Sequence, residues 1–394
     1  MTDQANVNAT AATTVKEYDS FDSMDLPEDV LRGVYSNGFE KPSPIQRIGI
    51  VPIKEGRDII AQAQSGTGKT GTFVTGSLSR IDPSIKRPQV LCLVHVHELA
   101  RQIAKVATTI GSAMKLNVLC ATGGSPVRDD IKSLTSGAQF IVGTPGRIYD
   151  LMHRDVLRRD DLRVLILDEA DEMLQEMFYK QVMCILEKGF PEMCRVALFS
   201  ATMPPEVIEV ADKILQDPVR ILIKSDEDVK LKGIDNYYVT LDAQSVKTEC
   251  IYDLYKNLNI AQAVIFCNTK KAVDQLGADM AAHGFPVTCI HGELEKAERK
   301  RKMDDFMSGA TRVMISTDML ARGIDVQQVS LVINFDVPEK KETYIHRSGR
   351  SGRFGRKGTT INLILQGEES KMKEIADFYH ISMNPLPQNL SNLL

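Results

Sequence analysis

Ala63-Gln64-Ser65-Gly66-Thr67-Gly68-Lys69-Thr70 decides how the chain is built. The apolar run Asp58-Ile59-Ile60-Ala61 leads into it. A strand, a glycine-rich turn and a Gly-Lys-Thr helix start are the layout of a phosphate-binding loop. Small residues let backbone N–H groups curl around a polyphosphate, and the helix N-terminus adds donors and positive potential. Lys69 supplies a charge for the β and γ phosphates, and the Thr70 hydroxyl is a hard-oxygen ligand suited to Mg²⁺. The generic pattern opens with Gly, where this chain has Ala63. For the loop alone, the bland alternative is an ordinary Gly-Ser turn between strand and helix.

An NTPase needs a second site, and Val164-Leu165-Ile166-Leu167-Asp168-Glu169-Ala170-Asp171 supplies one. Four apolar residues running into an acid suit a buried parallel strand that ends at the active edge of a sheet. Asp168 can then hold Mg²⁺ through water, and Glu169 can orient and deprotonate an attacking water. An acidic helix start after a strand is the alternative, since helix dipoles favour it. The two stretches together point to an ATPase.

Outward from these motifs, strands alternate with helical stretches. Strands are expected at 58–63, 90–94, 117–121, 139–143, 163–168, 195–199 and 219–223. A second series is expected at 235–241, 262–267, 286–291, 312–317, 330–335 and 359–365, with helices at 245–258, 270–283, 295–307 and 340–349. Such alternation implies an α/β fold of mostly parallel sheets covered on both faces by helices. Residues 1–18 read as a mobile tail and the charged segment 224–234 as a linker, dividing the chain into cores at 19–223 and 235–394. The second core has no phosphate loop, and no sequence repeat links the halves.

With 394 residues, 43% of them hydrophobic, the chain can bury two ordinary cores. No run approaches the ~18 apolar residues of a membrane span, and no charged-then-apolar signal opens the sequence. The seven cysteines are scattered, which suits buried thiols in a reducing compartment. A net charge of −4 argues against indiscriminate nucleic-acid binding but leaves room for a local basic groove. The segment from His346 to Lys357 carries Arg347, Arg350, Arg353, Arg356 and Lys357 with no acid, and its glycines suit close approach to phosphates.

These motifs resemble those of the DEAD-box RNA helicases, named for the tetrad Asp168-Glu169-Ala170-Asp171. The resemblance runs from about residue 19 to 394 and is nearest to the translation initiation factor 4A subfamily. It is carried by Ala61-Gln62-Ala63-Gln64, Val264-Ile265-Phe266-Cys267-Asn268-Thr269, Arg322-Gly323-Ile324-Asp325-Val326-Gln327-Gln328-Val329 and Gly352-Arg353-Phe354-Gly355-Arg356-Lys357-Gly358. It implies two tandem RecA-like domains closing around ATP, Mg²⁺ and single-stranded RNA or a short duplex. By that resemblance Phe21 stacks on adenine, Gln46 reads its edge and Asp325 touches the ribose. Ala63 to Thr70 bind the phosphates, Thr70 and Asp168 the metal, and Glu169 serves the water. Ser200 and Thr202 couple hydrolysis to closure, His346 links to the tetrad, and Arg350 and Arg353 are arginine fingers. RNA phosphates meet Gly123, Gly124, Thr144, Arg147, Asn268, Arg299 and Thr317. A HEAT-repeat protein scaffold is also implied, and the chain is expected to be monomeric and cytoplasmic.

The family usually writes Pro-Thr-Arg-Glu-Leu-Ala where this chain has His95-Val96-His97-Glu98-Leu99-Ala100. The missing Thr and Arg predict weaker RNA binding. His95 and His97, two apart on an expected strand, could alternatively be a metal pair. Lys296 replaces a usual Gln three residues before Arg299, and Ser348 is a mild change. Two other readings use the same residues. One is an ATP-gated RNA clamp of the exon-junction type, which would be nuclear. The other is a DNA helicase or transporter motor, against which Gln46 and Thr144-Pro145-Gly146-Arg147 argue.

Overall fold

The computed structural model describes residues 16–63, 66–174, 176–222, 234–258, 260–320, 329–351, 357–390 and 393. Two parallel sheets organise them. The first comprises β1 (Ile59–Gln62), β2 (Val90–Leu93), β3 (Val118–Ala121), β4 (Phe140–Gly143), β5 (Val164–Asp168), β6 (Arg195–Ser200) and β7 (Val219–Leu222), in the order β3-β4-β2-β5-β6-β1-β7. The second comprises β8 (Ile234–Leu241), β9 (Gln262–Phe266), β10 (Val287–Ile290), β11 (Val313–Ser316), β12 (Val329–Asn334), β13 (Gly358–Leu365) and β14 (Met383–Pro385), in the order β10-β11-β9-β12-β13-β8-β14. Each strand of the second sheet sits where the strand seven earlier sits in the first. The halves therefore repeat an architecture that their sequences do not show.

The first sheet reads as continuous apolar runs because both of its faces are covered. Ile59, Ala61, Val90, Cys92, Val164, Ile166 and Phe199 pack on one face. Ile60, Leu91, Leu93, Leu165, Leu167 and Leu198 pack on the other. This two-residue alternation between faces follows from strand geometry. Helices separate the successive parallel strands, so all carboxyl ends lie at one edge, where open α/β sheets bind ligands.

Several boundaries differ from expectation. Tyr18, placed in the mobile tail, is tied down: its amide donates to the Arg47 carbonyl at 3.1 Å and its ring packs on the core. Ile234, placed in the linker, opens β8 and pairs with Gly358. The remainder of the 224–234 segment, and residues 1–15 of the tail, lie outside the described residues. The helix Glu369–Phe378 and the short β14 have no counterpart among the expected elements. β14 has only three residues and carries a proline, so it has little periodicity of its own. It forms because it pairs with the long β8, Met383 against Asn236. His95 and His97 do not share a strand. β2 ends at Leu93, and His97 is the first residue of the helix His97–Ile110.

Candidate active site and inter-domain cleft

The phosphate loop leaves β1 and enters the helix Lys69–Leu78. Gly68 caps that helix with φ of 102°, a left-handed conformation that favours glycine. A Cβ there would also strike Ser43 Oγ and come within 3.0 Å of Gln46 Nε2. The helix Pro44–Lys54 opens with a capping box, in which Gln46 Oε1 accepts from the Ser43 amide at 2.8 Å. Gln46 Nε2 donates to the Gly68 carbonyl at 3.3 Å. The expected adenine reader is therefore bonded to the phosphate loop itself. Its amide still has a second N–H and a second acceptor lone pair for a base edge.

Phe21 lies deeper than expected. It is 1% exposed, stacked on Phe39 at 6.5 Å and edge-on to Tyr35. Phe39 is the half-buried ring nearer the loop: a Cβ on Gly71 would lie 2.9 Å from its Cε2. Phe39, within Gly38-Phe39-Glu40-Lys41-Pro42, is thus an aromatic beside the start of the loop helix that sequence reasoning did not single out. Gln64 and Ser65 of the loop, Asp325 and Arg353 lie outside the described residues.

Lys69 and Glu169 meet inside the cleft. Lys69 Nζ is 3.2 Å from Glu169 Oε1, with the side chains 5% and 2% exposed. Glu169 follows β5 with φ of 54°, an uncommon left-handed backbone for a non-glycine residue. Such conformations collect at functional sites. Burial pushes the Asp168 carboxyl up to about 7, against the pull of Lys69. Burial also penalises Glu169, but Lys69 and His346 override it and hold this carboxyl at about 2. Adjacent acids are thereby driven apart, one raised by burial and the other compensated by Lys69 and His346. The Thr70 hydroxyl and the Asp168 carboxylate are a hard-oxygen donor set that fits Mg²⁺.

Asp171 is the hub of the cleft. Its amide donates to Ser200 Oγ at 3.2 Å, and Thr202 Oγ1 donates to its Oδ2 at 2.6 Å. His346 Nε2 lies 3.1 Å from the same oxygen, although it belongs to the helix Lys341–Ser348 beyond β12. Ligand atoms of Glu169, Asp171 and His346 all lie within 4.8 Å of one another, and all three residues are buried. The Ala63 amide donates to the Ser200 carbonyl at 2.9 Å. One chain of contacts therefore runs from loop to Ser200, to Asp171, to His346. Arg350, one turn beyond His346, is 3% exposed and donates from Nε to the His346 carbonyl at 3.1 Å.

The expected RNA residues divide. Gly123, Thr144 and Arg147 line a cavity of about 390 Å³ together with His95 and His97. Gly124 sits beside it with φ of 77°. Arg147 is turned inward: it pairs with Asp130 and donates from Nη2 to the Ser125 carbonyl at 2.6 Å. Asn268 is bound within the second half, donating to the Val337 carbonyl and accepting from Arg347 Nη2 at 2.7 Å. Thr317 is half-buried. Arg299 lies against Glu98 of the first half, with Nε 3.2 Å from Oε1. Among the described residues, no third ligand joins His95 and His97 in a metal cluster.

The basic run is the largest surprise. Arg347 is fully buried and Arg350 nearly so, so the part of the run up to Ser351 is not a solvated groove. Arg347 pairs with Asp318 and donates to the Asp336 carbonyl at 2.7 Å. Its surroundings are acids and amides of its own half, invisible in the local sequence.

A phosphate loop on one sheet, an Asp-Glu strand end beside it and a second sheet of the same RecA-like order define a two-domain ATPase motor. The DEAD/DEAH box helicase family pattern matches residues 43–210 and the helicase conserved C-terminal domain pattern residues 246–355. The ATP-dependent RNA helicase eIF4A of Aspergillus clavatus is 50% identical over 376 residues, covering 95% of this chain and 94% of that protein. The eukaryotic initiation factor 4A of Drosophila melanogaster is 49% identical over 377 residues, 96% of this chain and 93% of that protein. The chain belongs to the DEAD/DEAH box helicase family and is an eIF4A-like member of it. Among solved structures, S. cerevisiae Dbp5 bound to RNA and ADP BeF3 matches with a TM-score of 0.87 at 34% identity, over 95% of this chain and 97% of that one. A DEAD box protein from Methanococcus jannaschii matches with a TM-score of 0.56 at 33% identity, over 94% of this chain and 100% of that one.

Proposed function

We propose that the protein is an ATP-dependent RNA helicase of translation initiation, opening short duplexes when its two halves close around ATP and single-stranded RNA. The observation that carries this reading is the His346–Asp171 contact at 3.1 Å, which joins the second half to the acid beside Glu169. Lys69 releases Glu169 to meet the phosphates, and Glu169, held as a carboxylate, takes the proton of the attacking water. Gln46 selects the adenine edge and Phe39 or Phe21 covers the ring. Thr70 and Asp168 would hold Mg²⁺, whose role is to neutralise charge on the phosphates. Arg350 and Arg353 approach from the second half. Such fingers are worth about 10³–10⁵ in rate when a second body supplies them. RNA enters beside Gly123, Gly124, Thr144 and His97.

The relatives' names support initiation over the exon-junction clamp, and a cytoplasmic site of action and a HEAT-repeat scaffold belong to the same proposal. The two cores are read as 19–223 and 235–394. The deciding experiment is ATP turnover by the whole chain with and without single-stranded RNA, beside displacement of a short RNA duplex. Stimulation by RNA, with strand displacement that needs ATP, is the expected result. Turnover indifferent to RNA would overturn the proposal.

A further inference from the structure

The edge of the first sheet opposite the phosphate loop carries three arginines that the mechanism does not use. Arg163 lies just before β5, Arg195 opens β6, and Arg80 follows the helix Lys69–Leu78 by two residues. The Arg195 amide donates to the Arg163 carbonyl at 2.9 Å, and Arg163 Nη1 donates to the Arg80 carbonyl at 2.8 Å. Gly56 touches two of the guanidiniums. Its carbonyl accepts from Arg195 Nε at 3.0 Å, and a Cβ on it would lie 2.8 Å from Arg80 Nη1. We propose that Arg80, Arg163 and Arg195 form a binding site for a free phosphate ion at the amino edge of the first sheet. The site stands apart from the nucleotide and does not rest on the helicase reading.

Three observations support it. First, the cations lack counter-charge. Among the described residues their hydrogen-bond acceptors are backbone carbonyls: Met193 for Arg80, Arg80 for Arg163, and Gly56, Glu192 and Cys194 for Arg195. The nearby acids are committed elsewhere. Asp58 accepts from the Val196 and Gln216 amides at 2.8 and 2.7 Å, Asp82 accepts from Ser84, and Glu192 offers Arg195 its carbonyl. The C-terminus of the helix Lys69–Leu78 favours a cation beside it, yet it carries only about half a charge. Second, donors are left over. Arg80 Nη1 and Arg163 Nε are buried with no acceptor among the described residues, which is costly for a charged group. Third, the guanidiniums crowd one another. Burial, and then the charges of Arg195 and Arg163, pull Arg80 below its ordinary pKa. A clamp for carbonyls alone needs neither the crowding nor the surplus donors. A dianion relieves both, and guanidinium forks match phosphate oxygens with paired hydrogen bonds. All three arginines are half-buried, so each keeps a face within reach of an ion from solvent.

The test uses the whole chain, with inorganic phosphate as the probe and chloride holding the ionic strength constant. Saturating Mg²⁺ and AMP-PNP fill the phosphate loop, so that phosphate binding there does not mislead. Calorimetry gives the Kd, and thermal melts give the stability. Phosphate at about ten times its Kd should raise the melting temperature of the first half by about 3–6 °C. Lys69→Ala, whose loop lysine is gone, should show the same rise. In the double variant Arg80→Gln/Arg195→Gln the rise should vanish. An equal rise in the double variant is a general salt effect and overturns the site. If that variant does not fold, arginine labelling of the parent decides. Phenylglyoxal attacks guanidiniums, and peptide mass mapping reads each position. With AMP-PNP bound, phosphate at the same concentration should slow labelling of Arg80, Arg163 and Arg195 about tenfold, following the fraction of sites left open. The exposed Arg128 should be unaffected. A further arm replaces phosphate with single-stranded RNA. Protection by phosphate supports the site. Protection by RNA alone overturns it in favour of an RNA contact, and protection by neither overturns it outright.

Discussion

Glu169 and Gly68 show how single positions tie chemistry to backbone. Glu169 pairs with Lys69 in the cleft and is held ionised there. Glu169→Gln keeps the shape and removes the base, so nucleotide affinity should persist while turnover falls by about 10²–10⁴, the usual share of general-base catalysis. Single-turnover hydrolysis beside a nucleotide titration checks this, and near-parent turnover would sink the assignment. At Gly68 the backbone is left-handed and a Cβ would strike Ser43. A non-glycine residue in such a position costs about 1–2 kcal/mol before any clash. Gly68→Ala should therefore lower the melting temperature and weaken nucleotide binding together. Unchanged affinity for ATP would mean that the loop relaxes without cost.

At the scale of elements, the helix Lys341–Ser348 has two jobs on adjacent faces. His346 reaches out to Asp171, and Arg347 turns inward to Asp318, Asn334, Asp336 and Asn268. A fork-shaped cation suits four such partners, and Lys cannot reproduce it. Arg347→Ala leaves the Asn334 and Asn268 side-chain oxygens and the Asp336 carbonyl without their donor, which should cost about 1–3 kcal/mol, while Asp318, 42% exposed, stays solvated. A denaturant melt of the whole chain should show that loss in the transition of the second half, with the first little changed. If Arg347 instead served RNA phosphates, stability would stay near the parent value and the salt slope of RNA binding would fall.

For the whole molecule, the functional state is an arrangement of two bodies. The contact of His346 with Asp171 is a hydrogen bond to a charged group, worth about 1.5–3 kcal/mol. His346→Ala should accordingly lower RNA-stimulated turnover about 10- to 100-fold, while nucleotide affinity of the first half holds. A distance probe between the halves should report less closure with ATP and RNA present. Full closure and full turnover in that variant would show the contact to be incidental.

The sequence by itself determined the elements and the nucleotide chemistry. Gly66 to Thr70 and Asp168-Glu169 are local: a loop, a strand end and the residues on them are neighbours in the chain, so their spacing announces them. Continuous apolar runs such as Val164 to Leu167 likewise announced buried parallel strands. The family resemblance carried His346 to the tetrad, a link across 175 residues that spacing alone does not reveal. Tertiary structure alone decided the fate of the charges. Arg147, Arg299 and Arg347 look alike in sequence, three cations near polar loops. One is turned inward to Asp130, one spans the cleft to Glu98, and one is buried among Asp318 and Asp336. The partner of a charge comes from distant segments brought together by packing. What a buried cation does is set by its solvation and its nearest acid, and neither is written beside it in the chain.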